Sequence, residues 1–342
     1  MALAADESSV KTIYDAVLGK YPDLATYCKL ADAERRQIVV GTTMQLAGER
    51  KVSDPFVSGA EAGARLRKEC GLGAISAADL AKLRWTASAK PLVFDGEKRS
   101  VDDLTDIRAL GNAIYTPAGP GPFPAAVISH TNGGISQHLL VHARELLAAG
   151  FAVLVVDTYG PRGIKLGSGL FPAESAKDAY DALTHLQAQA YINKNRIFQT
   201  GYSLGAFAAA LLASPQSAEA FGARGRFRAT VANYGSCAIQ ESASTRKLDM
   251  LSADSDRPIL MLMAELDIEV PPKHCFPLLE EMKAAGKDVN WHLYPKTTHG
   301  WDKAENSGYV YRLNNETMTY RFDAEVAKDA TARMIAFFNK YQ

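Results

Sequence analysis

The chain has 342 residues, of which 47% are hydrophobic and 22% are charged, values that are ordinary for a soluble globular protein. Its 38 basic residues balance 38 acidic ones, so net charge favours neither nucleic acid nor an anionic membrane as a partner. The longest apolar runs, Phe151–Val156 and Ala206–Ala213, fall short of the roughly 20 residues that span a bilayer. The length fits one large domain, or a domain of about 200–250 residues with an extension.

Residues 1–90 are predicted to form a helical N-terminal extension. Apolar residues recur there at spacings of three and four, with Asp or Ser near several helix starts. The predicted helices are Val10–Leu18, Asp32–Leu46, Ala60–Cys70 and Ala77–Trp85. No chemical motif occurs in this region.

The first nine residues, MALAADESS, lack the apolar core of a signal peptide. Ala2-Leu3-Ala4 nevertheless fits the small-x-small pattern that precedes a signal cleavage site. Two interpretations stay open: an export signal was removed and Met1 added, or this is simply a frayed terminus.

From about residue 91, short apolar strands alternate with amphipathic helices. The predicted strands are Leu92–Phe94, Ala113–Thr116, Ala125–Ser129, Ala152–Val156, Arg196–Thr200, Thr230–Asn233, Ile259–Ala264 and Trp291–Tyr294. The predicted helices are Gln137–Ala149, Ala176–Ile192, Ser203–Ala213, Phe276–Ala285 and Ala324–Tyr341. This alternation predicts an α/β domain over residues 91–342, with a mostly parallel central sheet flanked by helices.

Gly201-Tyr202-Ser203-Leu204-Gly205 is the strongest local signal for chemistry. It follows a predicted strand and precedes a predicted helix, the context that a nucleophile elbow requires. Ser203 is therefore the candidate nucleophile, and the alternative is a glycine-rich turn without chemistry.

A serine nucleophile needs a base, and the base needs an orienting acid. His299 lies in a loop after the last predicted strand, and Asp267 follows the strand Ile259–Ala264, so chain order is Ser, acid, His. Glu265 and Glu269 are rival acids, and for both the alternative interpretation is a solvated loop carboxylate.

The oxyanion of an acyl-transfer reaction needs preorganised donors. The predicted donors are the backbone N–H groups of Leu204, directly after the nucleophile, and of Asn132, in the loop after Ala125–Ser129. No metal site is expected. His138 and His142 have helical i, i+4 spacing, but the glutamate of the H-E-x-x-H zinc motif is missing.

Together these residues resemble the dienelactone hydrolase family of the α/β-hydrolases over roughly residues 100–342. The resemblance rests on GYSLGA, AELDIEVP, YPKTTHGWD, the HTNGG loop and DTYGPRG at Asp157–Gly163. It implies an α/β-hydrolase fold, the triad Ser203, Asp267 and His299, and the same two amide donors. The family's namesakes use a cysteine nucleophile and an oxyanion-loop glutamate, where this chain has Ser203 and Thr131, a change toward an ordinary serine esterase.

The resemblance also suggests substrate-binding residues. The namesakes hold a substrate carboxylate with two arginines; Lys303 matches one of them, and Arg162 lies one residue from the other. The alternative for Arg162 is a loop anchor. Tyr202 and Trp301, inside the elbow and histidine-loop motifs, are further candidates.

The four cysteines allow three complete pairings, and an even number is also common in reduced proteins. Cys237 and Cys275 follow neighbouring predicted strands, whose loops meet at one edge of a parallel sheet, so a bond between them could brace the Asp267 loop. Cys28 and Cys70 would then link the N-terminal helices. Related proteins with cysteines near these loops look exported, which favours an exported protein over a cytoplasmic one.

The predicted function is hydrolysis of a small-molecule carboxylic ester, or of a lactone, through an acyl-enzyme and without a cofactor. An acyltransferase with the same triad and a non-catalytic binding protein on a hydrolase scaffold are the alternatives. Ala238–Arg257 and Trp301–Phe322, the latter with Tyr309, Tyr311 and Tyr320, are either lids over the site or packed surface loops.

Overall fold

The structure, a computed structural model, describes residues 6–30, 32–53, 55–70, 91–164, 172–240, 247–313 and 315–342. Its strands are β1 (Lys98–Ser100), β2 (Ile114–Thr116), β3 (Phe123–Ser129), β4 (Ala152–Val156), β5 (Ile192–Tyr202), β6 (Thr230–Asn233), β7 (Ala238–Gln240), β8 (Lys247–Asp249), β9 (Ile259–Ala264), β10 (Val289–Tyr294), β11 (Val310–Leu313) and β12 (Glu316–Thr319). Its longer helices are α1 (Glu7–Leu18), α2 (Leu24–Cys28), α3 (Asp32–Gly48), α4 (Pro55–Glu69), α5 (Gln137–Ala148), α6 (Pro172–Gln187), α7 (Leu204–Leu212), α8 (Pro215–Ala220), α9 (Phe276–Ala284) and α10 (Ala324–Lys340).

Eight of the described strands form the central sheet, in the order β1-β2-β4-β3-β5-β6-β9-β10. All neighbours are parallel except β2 and β4, which run antiparallel. Every residue of β4, β6 and β9 is buried, as expected for parallel strands that are covered on both faces. This is the α/β-hydrolase fold that the sequence predicts.

Helices cover both faces of the sheet and give it two hydrophobic cores. One core includes buried residues of α6, α7 and α9, such as Leu183, Phe207 and Leu279. The other includes residues of α5 and α10, such as Leu146 and Phe338. Because the sheet is held rigidly between these layers, the loops at the carboxyl ends of its strands have a fixed base.

The N-terminal helices have a core of their own, centred on Val10, Ile13, Val17 and Leu66. A disulfide joins Cys28, the last residue of α2, to Cys70, just after α4. In addition, an ion pair of 2.7 Å links Arg67 of α4 to Glu281 of α9. The helical extension therefore contacts α9 of the α/β domain.

Several predicted elements differ from the structure. Leu92–Phe94 is not a strand: Leu92 is buried, Val93 is 81% exposed, and the sheet edge is formed instead by Lys98–Ser100. The helix predicted to reach Ile192 ends at Gln187, because Ile192 begins β5. The helix predicted at Ala77–Trp85 lies outside the described residues, so the domain boundary near residue 90 stays a prediction.

None of the described helices combines the length and apolar character that a membrane crossing requires.

Candidate active site

Ser203 lies in a sharp turn between β5 and α7. Its backbone has φ 52° and ψ −107°, a left-handed conformation that is costly for a residue with a side chain. The turn is possible only because its neighbours are glycines: a Cβ on Gly201 would lie 1.9 Å from the Gly205 carbonyl oxygen, and a Cβ on Gly205 would lie 2.2 Å from the Ser129 carbonyl oxygen. The G-x-S-x-G spacing thus has a steric cause, and it lifts the serine to the carboxyl edge of the sheet.

Three side chains that are distant in sequence meet at this turn. His299 Nε2 lies 3.0 Å from Ser203 Oγ, and His299 Nδ1 lies 2.6 Å from Asp267 Oδ2. All three residues are buried, with relative exposures of 7%, 4% and 3% for the serine, histidine and aspartate. In this arrangement the histidine can take the serine proton while the aspartate holds the ring in one tautomer.

The carboxylate of Asp267 is fixed by its own loop. Its Oδ1 accepts the backbone N–H groups of Glu269, at 2.9 Å, and Val270, at 3.0 Å, which leaves Oδ2 for the histidine. A disulfide between Cys237 and Cys275 joins the loop after β6 to the end of this acid loop. Both predicted disulfides, Cys28–Cys70 and Cys237–Cys275, are thus present.

The electrostatic setting favours a protonated histidine. Burial lowers the pKa of His299, but the negative charges of Asp267 and Glu269, the hydrogen bond to Asp267 and the charge of Asp302 outweigh it and raise that pKa to about 9. His299 is therefore a stronger base than a free imidazole.

The loop after β3 is bonded directly to the elbow, since the Gly205 N–H donates to the His130 carbonyl at 3.1 Å. The His130 ring holds this loop in place: Nε2 accepts the Thr158 N–H at 3.2 Å, so Nδ1 donates to the Thr131 carbonyl at 2.6 Å. Burial lowers the pKa of His130, which keeps the ring neutral. The His130 ring therefore has a structural role in this loop.

The two predicted oxyanion donors lie in these joined segments. Leu204 is the first residue of α7, so its N–H has no partner within the helix. The Asn132 N–H likewise has no hydrogen bond to the part of the chain that the structure describes. The Asn132 side chain is held by Tyr159, whose hydroxyl donates to Oδ1 at 2.9 Å. Both amides are thus available to an incoming oxygen.

Of the four predicted substrate-binding residues, Lys303 lies beside the oxyanion loop and Arg162 does not contact the site through a free guanidinium. Lys303 is 8% exposed, and its Nζ lies 3.5 Å from where a Cβ on Gly133 would be, beside the oxyanion loop. Burial lowers the pKa of Lys303. Arg162 instead forms two 2.7 Å hydrogen bonds with Asp178, which favours the alternative of a loop anchor.

Tyr202 and Trp301, each 1% exposed, lie in the core and have no free surface for a substrate. Their prediction as substrate-binding residues therefore does not fit the structure. Trp301 packs edge-on against Tyr234, with ring centroids 4.8 Å apart, and Tyr234 packs in the same way against His299 at 4.9 Å. Trp301 therefore supports the His299 ring through Tyr234.

A buried polar cluster beneath the histidine was not identified from the sequence. Asp302 accepts a 2.9 Å hydrogen bond from the Tyr234 hydroxyl and lies 2.7 Å from His142 Nε2. His142 Nδ1 is also 3.1 Å from the Thr331 hydroxyl. Burial raises the pKa of Asp302, but the charge of His138, the charge and hydrogen bond of His142 and the hydrogen bond from Tyr234 outweigh it and lower that pKa to about 2. The i, i+4 pair His138 and His142 was a visible signal in the sequence: His142 belongs to this network, and His138 Nδ1 lies 2.9 Å from the Ser136 hydroxyl.

The Trp301–Phe322 insertion covers one side of His299. It contains the antiparallel hairpin of β11 and β12, followed by Tyr320, whose ring lies edge-on to the His299 ring at 5.8 Å. Tyr320 is 7% exposed and its hydroxyl donates to Glu269. Among the described residues, no cluster of His, Cys, Asp and Glu could hold a metal ion.

Comparison with known proteins identifies the family of this chain. The family model of the dienelactone hydrolase family matches residues 110–342. A candidate carboxymethylenebutenolidase of Methylorubrum extorquens is 24% identical over 238 residues, which are 66% of this chain and 75% of that protein. A similarly described protein of Escherichia coli O157:H7 is 22% identical over 233 residues, 65% of this chain and 78% of its own.

Among solved structures, the esterase Est2 of the Planctomycetes species Thermogutta terrifontis, with butyrate bound, is similar at a TM-score of 0.50 and 15% identity. The match covers 66% of this chain and 87% of the esterase, and it supports the fold. The protein is thus an α/β-hydrolase. More narrowly, the chain belongs to the dienelactone hydrolase family.

Proposed function

We propose that this protein is a serine hydrolase that cleaves small carboxylic esters through an acyl-enzyme, with Ser203, Asp267 and His299 as its triad. The observation that carries this proposal is the continuous chain of contacts from Ser203 Oγ to His299 Nε2, at 3.0 Å, and from His299 Nδ1 to Asp267 Oδ2, at 2.6 Å. These distances allow proton transfer without rearrangement.

In the first half-reaction, His299 takes the Ser203 proton on Nε2 as Oγ attacks the ester carbonyl. The N–H groups of Asn132 and Leu204 stabilise the oxyanion, and the imidazolium then protonates the departing alcohol. In the second half-reaction, His299 removes a proton from water, which attacks the acyl-serine, and the imidazolium then returns that proton to Ser203 Oγ as the acid is released. Asp267 keeps the Nδ1–H tautomer throughout.

Replacement of Ser203 by Ala tests the nucleophile. The triad acts as a unit, so we expect kcat/KM for p-nitrophenyl esters to fall by roughly 10⁴- to 10⁶-fold, with an unchanged thermal midpoint. Ser236→Ala is a matched control, because Ser236 is also a buried serine near this sheet edge, 3% exposed, but it is not hydrogen-bonded to His299. Most activity surviving in Ser203→Ala would contradict the proposal.

The same panel of substrates distinguishes the related reactions. Lactones and aromatic esters of varied chain length belong in it, and product analysis with and without an added alcohol separates hydrolysis from acyl transfer. For an acidic substrate, Lys303 is the proposed carboxylate ligand, since its buried Nζ lies beside the oxyanion loop. As a single ammonium it lacks the bidentate geometry of arginine.

We also propose that the protein works in an oxidising compartment, as an exported protein would. The support is its two disulfides, Cys28–Cys70 and Cys237–Cys275, since such bonds persist mainly outside the reducing cytosol. Fractionation of cells that produce the native protein tests this. Recovery in the cytosol with four free thiols would contradict it.

A further inference from the structure

A second carboxylate faces the reacting nitrogen of His299. Glu269 Oε1 lies 4.0 Å from Nε2, the nitrogen that is 3.0 Å from Ser203 Oγ. Asp267 is bonded to the opposite ring nitrogen. The imidazole therefore lies between two carboxylates, with one near each of its ring nitrogens.

Glu269 is held in this position from two directions. Its backbone N–H donates to Asp267 Oδ1 at 2.9 Å, so the turn that fixes the triad acid also fixes Glu269. The Tyr320 hydroxyl donates to Glu269 Oε2, which leaves Oε1 on the side of the histidine. Tyr320 is itself fixed by 2.8 Å backbone hydrogen bonds with Tyr309 and Gly308.

Few charged groups surround the Glu269 carboxylate. The Glu269 side chain is 30% exposed. Its charge acts to raise the pKa of each of four neighbours, which are His299, Lys303, Tyr311 and Tyr320. Apart from the histidine, Lys303 is the only cationic side chain among these four. Lys303 forms no ion pair with a carboxylate in the described parts of the chain. Glu269 therefore places a carboxylate close to the imidazole.

The groups that face His299 come from every element packed around it. Asp267 and Glu269 lie on the acid loop, Asp302 on the histidine loop, Tyr234 after β6 and Tyr320 after β12. Three of these five are carboxylates, and Glu269 is the one adjacent to Nε2. A proton that arrives on Nε2 thus forms a cation next to a fixed negative charge.

We propose that Glu269 is a positioning residue that stabilises the His299 imidazolium from the side of its reacting nitrogen. The inference rests on the proposed function for its role in turnover. When the Ser203 proton moves to Nε2, the Oγ–H bond breaks and the Nε2–H bond forms, with Glu269 unchanged. At 4.0 Å the carboxylate is too distant to take that proton by a direct hydrogen bond, so the proton stays available for the leaving alcohol.

Replacement of Glu269 by Gln removes the charge and keeps the shape. We expect the acidic limb of kcat/KM for a neutral ester to move to lower pH by about one unit, because an opposite charge at 4–6 Å raises a pKa by 1–3 units. Glu265→Gln is the matched control: Glu265 lies in the same loop, but it accepts the Lys296 N–H at 2.7 Å and is exposed. Its acidic limb should match that of the wild type.

Direct titration of the His299 imidazole by ¹⁵N NMR gives the same comparison without turnover. It should show a lower titration midpoint in Glu269→Gln than in the wild type and in Glu265→Gln. Equal midpoints in all three proteins would overturn the role of Glu269 even if Ser203→Ala is inactive. Conversely, an active Ser203→Ala would contradict the proposed function and leave the NMR comparison valid.

Discussion

At the scale of single residues, the site depends on how one imidazole is surrounded. His299 is buried, which alone would favour its neutral form, yet the neighbouring carboxylates outweigh burial and raise its pKa. The Tyr234 and Tyr320 rings pack edge-on against it and restrict its rotation. The result is a base that is both strong and fixed in orientation.

This setting predicts an alkaline pH profile. His299 must be neutral to accept the Ser203 proton, so kcat/KM should rise as pH rises through its pKa of about 9, well above the ordinary value of 6.5. The measurement is kcat/KM for a neutral ester from pH 5 to 10.5, expressed relative to spontaneous hydrolysis. A plateau already reached at pH 6 would contradict the assignment.

The position of Lys303 predicts that an ester with a free carboxylate depends on this side chain for binding, whereas a neutral ester does not. Replacement by Met keeps much of the apolar stem and removes the ammonium, so KM for an ester with a free carboxylate should rise by roughly tenfold, the equivalent of about 1.4 kcal/mol. KM for the neutral methyl ester of the same compound should stay within twofold. Equal changes for both substrates would indicate a packing role in place of carboxylate binding.

At the scale of elements, the central strands β4, β6 and β9 are the part that the sequence predicts best. The strands β4, β6 and β9 are apolar runs between polar turns, and their predicted bounds agree with the structure. The exposed hairpin of β11 and β12 has too few buried positions to give such a pattern, since only Met318 is buried. Hydrophobic residues recur periodically in a sequence only where one face of a strand is buried, and this hairpin has no such face.

The position of Glu269 was not predictable for a similar reason. The sequence suggests a solvated loop carboxylate, and for Glu265 exposure agrees with that interpretation. Glu269 differs because Tyr320, 51 residues away, holds it. A contact of this range depends on where the insertion packs, and local pattern carries no information about that.

The elbow glycines predict a sharp steric effect. In Gly205→Ala the new Cβ would lie 2.2 Å from the Ser129 carbonyl oxygen, so the elbow or β3 must shift, and we expect a loss of at least about 2 kcal/mol in stability together with most activity. Gly41→Ala is the matched control, because Gly41 lies in α3 with no atom within 4 Å of its Cβ position. It should be neutral or stabilise by up to about 1 kcal/mol. Urea unfolding measures both, and an equally stable Gly205→Ala would contradict the geometry.

At the scale of the whole molecule, two units are each closed by one disulfide. Cys28–Cys70 spans 42 residues within the N-terminal helices, and Cys237–Cys275 spans 38 residues around the acid loop. In the chain-entropy model, loops of these similar lengths give about 4 kcal/mol each. The two bonds therefore form a natural pair for comparison, because they differ in place and hardly in loop length.

Removal of the two disulfides, one at a time, should have different effects on stability and on activity. The double variant Cys237→Ser with Cys275→Ser should lower both the thermal midpoint and kcat/KM, because it frees the loop that carries Asp267. The double variant Cys28→Ser with Cys70→Ser should lower stability of the N-terminal helices and leave kcat/KM unchanged. Calorimetry and ester kinetics measure the two effects, and an equal loss of kcat/KM in both variants would contradict this division of roles.

The covalent step at Ser203 is the centre of this account, and a fluorophosphonate probe tests it most directly. Such a probe reacts with a serine only when a neighbouring base activates it. We expect stoichiometric labelling that peptide mass spectrometry assigns to Ser203, and no labelling in His299→Ala at equal thermal stability. Labelling at a different serine, or none in the native protein, would contradict it.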